Sequence, residues 1–347
     1  MNTSFQRLMG EATRLTRAGD LQGATAAIQA ALGGAGMSSA GNDTRVIDVE
    51  AREVEIEATI ALHSVPIAGQ FISGRHTGAT GTREYKLYVP PGYRGQALPL
   101  VVMLHGCKQS PDDFAAGTGM NEAALERDFF VLYPAQTHKA NASRCWNWFK
   151  HDHQRRDGGE PALLAGMTQD AMKRYNIDPQ RVYVGGLSAG GAMAAILGSA
   201  YPDMFAAVGV HSGLPPGSAM DVQTAFAAMR GGAASAVQSG QMPPTIAFHG
   251  DQDTTVHPVN GERVVAASAG AAAPEFEAGR SDNGREYTRR IYRDKGGRVV
   301  AEHWALHGSG HAWSGGSARG SYTDAKGPDA TEEMLRFFFS HTLHAAR

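Results

Sequence analysis

The sequence contains few cysteines, only Cys107 and Cys145 among its 347 residues. Two thiols are too few for the disulfide framework of a small secreted protein or for a zinc site built from thiolates, although they can form one bridge. The histidines of segment 150–153 lack a third spaced ligand and the helical His-Glu-x-x-His pattern of a metal site. We therefore predict no metal site and no cofactor.

An excess of charge of one sign is also missing. Lys and Arg number 32 against 34 Asp and Glu, so the net charge is −2, which gives no electrostatic reason to expect nucleic acid or an anionic membrane as partner. No stretch reaches the roughly 18 consecutive apolar residues of a membrane span. Residues 1–19 lack the apolar core of a signal peptide. We expect a cytoplasmic protein as the sequence is written, and an extracellular or periplasmic one if a leader has been removed.

Glycine and proline, by contrast, are plentiful, with 43 and 16 residues. Together with 42% hydrophobic and 19% charged residues, this composition is that of a globular protein and excludes disorder throughout. Glycine and proline punctuate turns and loops. We therefore expect long loops to carry the chemistry.

Residues 1–43 have the pattern of a small helical appendage. Apolar residues recur at helical spacing over residues 4–32, interrupted by a turn signal at 18–20, and a Gly- and Ser-rich stretch follows to residue 43. We predict an antiparallel helical hairpin and a flexible linker. The hairpin would dock onto the chain, or contact a partner or a second copy in an oligomer. Residues 44–70 receive no assignment, and residues 71–347 form the main domain.

Within the main domain, short apolar runs alternate with helix-like segments. The runs lie at 100–104, 129–133, 182–186, 207–210 and 245–249, and two further strands are predicted at 85–89, where apolar and polar residues alternate, and at 299–306. The helical segments lie at 121–127, 162–175, 189–201, 259–269 and, after a capping-box pattern at 329–332, 333–343, with a short helix near 221–230. Nearly continuous apolar runs are typical of strands covered on both faces. The alternation predicts an α/β fold, a mostly parallel sheet covered by helices on both faces.

The most informative motif is Gly-Leu-Ser-Ala-Gly at residues 186–190, placed between a predicted strand and a helix of small residues. A serine presented on so tight a turn needs glycine on both sides, because a side chain there would collide with the neighbouring elements. The motif predicts a nucleophile elbow with Ser188 as the nucleophile.

A serine hydroxyl needs a histidine to accept its proton and an acid to orient that histidine. The α/β-hydrolase order of nucleophile, acid and base is met by Ser188, by Asp251 or Asp253 after the run at 245–249, and by His311 in a glycine-rich loop. Spacing alone leaves the choice between the two aspartates open. Other histidines in the region lie within predicted strands or at their ends: His249, His303 and His307.

Ester cleavage builds negative charge on the carbonyl oxygen, and two backbone N–H groups have to stabilise it. The candidates are the residue after the nucleophile, Ala189, and Cys107, which follows Gly106 in the loop after the run at 100–104. Each such donor contributes about 3 kcal/mol to transition-state stabilisation.

At these residues the chain resembles the polyhydroxybutyrate (PHB) depolymerase-like esterases, neighbours of the feruloyl and acetylxylan esterases among the α/β hydrolases. The resemblance spans roughly residues 71–341. It depends on ordered motifs at 85–90, 104–107, 144–149, 186–190, 249–253 with Val256, and 310–313. It implies the α/β-hydrolase fold, a Ser188, Asp253 and His311 triad, and an oxyanion hole formed by Cys107 and Ala189.

The resemblance also implies that Cys107 and Cys145 pair. Such a bridge conflicts with the missing signal peptide, because cytosolic reductants keep thiols reduced, so free buried thiols stay an alternative. The resemblance further suggests Trp146 and Trp313 as walls of an apolar substrate groove, although core packing is the default for tryptophan.

These observations favour a serine carboxylesterase that hydrolyses short-chain hydroxyalkanoate esters, their oligomers or accessible polyester, with water as the only cosubstrate. A feruloyl or acetylxylan esterase shares every catalytic residue and differs in the groove. A hypothesis of another class is a catalytically silent hydrolase-fold binding protein with the helical hairpin as its working surface, which the intact triad disfavours.

Overall fold

The computed structural model of the protein describes residues 69–232 and 242–343. The predicted hairpin and linker, residues 1–43, and nearly all of segment 44–70 lie outside the described residues. The predicted role of the hairpin in an oligomer therefore stays a prediction.

One large sheet contains ten of the strands, in the spatial order β1-β2-β4-β3-β5-β6-β7-β10-β9-β8. The strands are β1 (Gln70–Gly78), β2 (Gly81–Val89), β3 (Leu98–Leu104), β4 (Phe130–Pro134), β5 (Ile177–Leu187), β6 (Ala207–His211), β7 (Thr245–Gly250), β8 (Glu275–Arg280), β9 (Glu286–Arg293) and β10 (Val299–Leu306). A short pair, β11 (Trp313–Ser314) and β12 (Thr323–Asp324), forms a second sheet.

The middle of the large sheet is parallel. Strands β4, β3, β5, β6, β7 and β10 pair in parallel, while β1, β2, β8 and β9 make the antiparallel margins. Strands β3, β4, β6 and β7 are buried at every position, as expected for strands covered on both faces. The predicted mostly parallel sheet is confirmed.

Helices cover both faces of this sheet. They are α1 (Pro111–Thr118), α2 (Met120–Arg127), α3 (Gly159–Arg174), α4 (Ala189–Ala200), α5 (Val222–Met229), α6 (Val259–Ala269) and α7 (Ala330–Phe339), with a 3₁₀ turn at His151–His153. Alternate residues of β3 divide between two cores, as the two-residue period of a strand requires. Leu100 and Val102 belong to the core under α3–α6, and Val101 and Met103 to the core under α1, α2 and α7.

Several elements differ from the sequence expectations. Strands β1, β8 and β9 and helix α1 were not predicted. The last helix runs from Ala330 to Phe339, so it begins and ends earlier than predicted. It begins at Ala330 because the Asp329 side chain accepts the backbone N–H groups of Thr331 and Glu332 and so caps the helix there. Among the described helices, none is both long and apolar enough to cross a bilayer.

Candidate active site

Ser188 lies at the carboxyl end of the central strand β5, directly before α4. Its backbone has φ 57° and ψ −119°, a region that residues other than glycine rarely adopt and that costs about 1–3 kcal/mol. The Ser188 N–H donates to His211 O at 2.8 Å, and the Ala192 N–H donates to Ser188 O at 2.9 Å. These bonds to β6 and α4 hold the serine in its strained turn.

The two glycines of the motif permit this turn. A Cβ atom at Gly186 would lie 2.5 Å from the carbonyl carbon of Gly190, and one at Gly190 would overlap the Leu104 carbonyl oxygen. Both positions therefore exclude any side chain. The physical reason for the predicted nucleophile elbow is present in the structure.

Asp253 and His311, the predicted acid and base, are in direct contact. The Asp253 Oδ2 atom lies 2.7 Å from His311 Nδ1, and its Oδ1 atom accepts the backbone N–H groups of Thr255 at 2.8 Å and Val256 at 2.9 Å. Burial by itself raises the pKa of Asp253, but hydrogen bonds from His249 and His311 and the charge of His311 hold that pKa well below its usual range. The carboxylate stays ionised and fixes the proton of His311 on Nδ1, which leaves Nε2 free to accept.

Asp251, the alternative candidate for the acid, contacts the neighbouring residues His307 and Gly308 instead. Its Oδ2 atom lies 3.1 Å from His307 Nδ1, and its Oδ1 atom accepts the Gly308 N–H at 2.7 Å. The other ring nitrogen of His307 lies 2.9 Å from Thr288 Oγ1. The structure thus places Asp253, and not Asp251, against His311.

His249 lies behind the acid and is a residue whose part in the site the sequence did not predict. Its Nε2 atom lies 2.8 Å from Val256 O and 3.3 Å from Asp253 Oδ2, and both side chains are fully buried. A carbonyl oxygen only accepts hydrogen bonds, so Nε2 carries the proton and is a donor toward both oxygens. The one signal in the sequence was its place at the end of β7, four residues before Asp253.

The loop after β3 supplies the first oxyanion candidate. The Gly106 N–H donates to Gln109 Oε1 at 2.9 Å and the Lys108 N–H donates to Ser143 O at 2.7 Å. Between them, the Cys107 N–H has no acceptor within residues 69–232 and 242–343. The Ala189 N–H is at the first position of α4, where a helix offers no acceptor of its own and its dipole favours negative charge.

Gln109 is a second residue that sequence reasoning missed. This buried side chain also donates from Nε2 to Asp113 Oδ2 at 2.9 Å and to Ser321 O at 3.1 Å. It therefore connects the loop of Cys107 to the segment before β12, more than 200 residues later in the chain. Pairing at that separation leaves no local pattern in the sequence.

Cys107 and Cys145 form a disulfide that closes a loop of 38 residues. A loop of this length corresponds to about 4 kcal/mol in the chain-entropy account of disulfide stabilisation. Beside it, the Arg144 guanidinium donates to Lys108 O at 2.6 Å. The oxyanion loop is therefore tied to segment 141–149 by one covalent bond and by the hydrogen bonds of Lys108 to Ser143 and Arg144.

Ser188, His311 and the oxyanion candidate Cys107 line one cleft of about 290 Å³. Its walls include Ser188, His311, Gly106, Cys107, Gln109, Leu187, Met229, Thr255 and Tyr322. In the described part of the chain, no group of three or more His, Cys, Asp or Glu side chains is arranged to hold a metal ion. The arrangement can perform acyl transfer through a serine.

Comparison with known proteins identifies the family. The model of the family described as "Esterase PHB depolymerase" matches residues 83–271, more than half of the chain. The chain belongs to this esterase family.

Two curated relatives of this esterase are PHB-type depolymerases by name. Poly(3-hydroxyalkanoate) depolymerase C of Paucimonas lemoignei is 31% identical over 67% of the chain and 58% of the relative. Poly(3-hydroxybutyrate) depolymerase of Ralstonia pickettii is 31% identical over 71% of the chain and 54% of the relative. The chain thus spans little more than half the length of either.

A solved structure, an acetyl xylan esterase from Aspergillus awamori, superposes on the esterase with a TM-score of 0.63 at 20% identity, covering 78% of this chain and 99% of that one. At this identity the likeness shows the fold alone. It confirms the α/β-hydrolase fold that the motifs predicted.

The structure does not bring Trp146 and Trp313 to the cleft of the esterase, contrary to the groove walls predicted from the resemblance. Both are fully buried. Trp146 packs against the ring of His105 at 5.6 Å, and Trp313 packs between Phe114 and His211 at 5.5 and 5.2 Å. Their large apolar rings belong to the two cores, which is the default for tryptophan.

The apolar walls come instead from Leu187, Met229 and Tyr322. Leu187 precedes Ser188, Met229 ends α5, and Tyr322 lies in the loop between β11 and β12. Neither Met229 nor Tyr322 lies in a motif, so the sequence carried no signal for them beyond their apolar character.

Proposed function

We propose that the chain is a serine carboxylesterase that forms an acyl-enzyme at Ser188. The observation that carries the proposal is the 2.7 Å contact between His311 Nδ1 and the buried Asp253 carboxylate, in a cleft that His311 shares with Ser188. This geometry leaves His311 Nε2 free to accept the serine proton.

In the first half-reaction the Ser188 Oγ atom attacks the ester carbonyl carbon while His311 Nε2 takes its proton. The Cys107 and Ala189 N–H groups donate to the oxygen that becomes negative. As the carbon–oxygen bond breaks, His311 returns the proton to the departing alkoxide and the alcohol leaves. In the second half-reaction water attacks the acyl-enzyme, His311 takes the water proton and passes it to Ser188 Oγ, and the acid is released.

For the substrate we propose short-chain hydroxyalkanoate esters, their oligomers or accessible polyester. Leu187, Met229 and Tyr322 give the cleft an apolar wall suited to an aliphatic acyl chain. The names of the two depolymerase relatives support the same class of substrate. A feruloyl or acetylxylan esterase would use the same triad, so the alternative differs only in what the cleft accommodates.

The first experiment is Ser188→Ala, assayed on p-nitrophenyl butyrate, with Ser73→Ala on β1 as the control. We expect kcat to fall by roughly 10⁴- to 10⁶-fold, since loss of a serine nucleophile leaves only binding and oxyanion stabilisation. The control should keep full activity. Turnover retained by Ser188→Ala would exclude the proposed nucleophile and the acyl-enzyme.

The substrate class is tested by kcat/KM on 3-hydroxybutyrate oligomers, methyl ferulate and acetylated xylan, measured side by side. We expect the hydroxybutyrate oligomers to give the highest value. A higher value for either plant-derived ester would replace the depolymerase-type assignment with the alternative.

A further inference from the structure

Most of the exposed apolar side chains lie in or next to elements that line the cleft. Five large ones are exposed in the described residues: Met220, Val222, Phe226, Phe276 and Tyr322. Only Phe276, on the edge strand β8, lies in an element that does not line the cleft. The first three lie at or just before α5, whose last residue is a cleft wall, and Tyr322 is itself a wall.

Helix α5 has a wider apolar face than the protein buries. Val222, Phe226 and Met229 follow the i, i+4, i+7 spacing of one helical stripe. Ala225 and Ala228, on the adjoining side, are buried, whereas Val222 and Phe226 are each 55% exposed. The stripe therefore runs without interruption from the core, through the cleft wall at Met229, to the outer surface.

Both ends of α5 are fixed, so this exposed stripe is held in place. At the start, the Asp221 side chain accepts the Thr224 N–H at 2.8 Å in a capping box. At the end, the His257 N–H donates to Met229 O at 2.7 Å, and Asn260 Nδ2 donates to Ala228 O at 3.0 Å. Both donors lie in the segment that follows Asp253, so the end of α5 is anchored to that segment.

The chemistry of the stripe indicates what it binds. Residues 222–229 carry no charged side chain, so nothing on them would select a charged partner. A protein seated on a stripe that continues into the cleft would cover its mouth, whereas a polymer chain has to cross the same surface to reach Ser188. Burial of such side chains against an apolar surface stabilises binding.

We propose that Met220, Val222 and Phe226, which we call the α5 patch, together with Tyr322 form the surface by which the enzyme adsorbs to an insoluble aliphatic polyester. This inference rests on the proposed function, because it assigns the polymeric form of that substrate to a specific face. The patch would hold the cleft against the polymer, so that polyester chains at the particle surface enter the cleft past Met229.

Adsorption can be measured without turnover. Ser188→Ala protein is mixed with poly(3-hydroxybutyrate) particles, and the bound fraction is compared with that of Ser188→Ala carrying Val222→Gln and Phe226→Gln. Glutamine keeps helix propensity while removing the apolar surface. We expect at least about a tenfold weaker adsorption, because the two substitutions remove half-exposed apolar surface from the contact. Phe276→Gln in the same background is the matched control and should adsorb like its parent.

The same two substitutions, Val222→Gln and Phe226→Gln, are then made in the active enzyme. The rate on polymer particles, divided by the rate on p-nitrophenyl acetate, should fall by about the same factor as adsorption does. Equal adsorption of the variant and its parent would overturn the inference. So would a wild-type dimer in sedimentation that the double substitution converts to a monomer, because the patch would then be covered by a second copy. Failure of the proposed function would give a different result: the wild-type enzyme would then not hydrolyse any soluble ester.

Discussion

Two aspartate–histidine pairs join the same two loops, and only one of them faces the cleft. Asp253 and His311 have side chains that are 0% and 13% exposed, whereas Asp251 and His307 are 39% and 42% exposed. The sequence separations are nearly equal, at 58 and 56 residues. Residue type and spacing therefore do not distinguish the proposed catalytic pair from the other.

The difference lies in what surrounds each pair. The carboxylate of Asp253 is saturated by two backbone N–H groups, His249 and His311, and water cannot compete for it. The ring of His307 uses its second nitrogen on Thr288, so no atom of that ring is left for a substrate. A buried carboxylate whose hydrogen-bonding positions are all filled orients its histidine, whereas an exposed pair only stabilises a loop.

Asp253→Asn is the sharpest way to test this contrast. We expect kcat on p-nitrophenyl butyrate to fall by about 10⁴-fold, because an amide no longer fixes the catalytic tautomer of His311. Circular dichroism should show an unchanged fold. A variant with more than a tenth of wild-type kcat would mean that the buried pair is not the acid–base pair.

His249→Leu removes the donor behind the acid and leaves the three proposed catalytic residues in place. We expect kcat to fall by about 10- to 100-fold with KM unchanged, since a hydrogen bond to a charged group contributes roughly 1.5–3 kcal/mol. The low-field proton resonance of the His311–Asp253 hydrogen bond should shift in the same variant.

His249→Gln is the matched variant, because its amide N–H can reach the place of the ring Nε2–H. It should recover a large part of kcat and of the original resonance. Equal losses in the leucine and glutamine variants would assign His249 a packing role only.

Burial also predicts how stability depends on pH. Desolvation lowers the pKa of His105 to about 4 and that of His211 and His303 to about 3. The unfolded chain binds these protons near pH 6.5 and the folded protein does not, so stability is full above that pH and is lost as the pH falls. Each group contributes a slope of up to about 1.4 kcal/mol per pH unit.

His303→Leu isolates one of these contributions. Neither ring nitrogen of His303 has a hydrogen-bond partner in the described structure, so leucine removes no bond. We expect urea unfolding at pH 7, 6 and 5 to show a shallower loss of stability, by about one proton. A slope identical to that of the wild type would contradict the buried neutral state.

The smallest effect should come from Asp251→Asn. Exposed ion pairs contribute roughly 0–1 kcal/mol, so we expect kcat to change by about fivefold or less. A loss that approaches that of Asp253→Asn would erase the distinction between the two pairs.

The central strands could be predicted because burial on both faces leaves continuous apolar runs, as in β3 and β4. Strand β9 could not. Its Arg289 pairs with Glu302 of β10 at 2.8 Å and with Glu277 of β8 at 3.0 Å, and such pairs satisfy a charged strand only once its neighbours are in place. Helix α1 was missed although Ser110 and Pro111, a cap and a first-turn proline, are start signals.

Most of the candidate site could be predicted because a strained turn demands glycines that stay visible in the sequence. The choice between Asp251 and Asp253 required burial, which spacing does not encode. The tryptophan groove was misplaced for a related reason: an aromatic residue near the base in sequence, Trp313, points into the core beside Phe114. Proximity along the chain does not fix the direction of a side chain.

The bond between Cys107 and Cys145 makes complete assembly of the site depend on the oxidation of two thiols. A newly made chain with two thiols has every side chain needed for acyl transfer, yet the segment that presents the Cys107 amide is held less firmly. We expect the fraction of molecules that react with a phosphonate probe to follow the oxidant supplied during production. Preparations of equal purity would then differ in the fraction of enzyme molecules that are active.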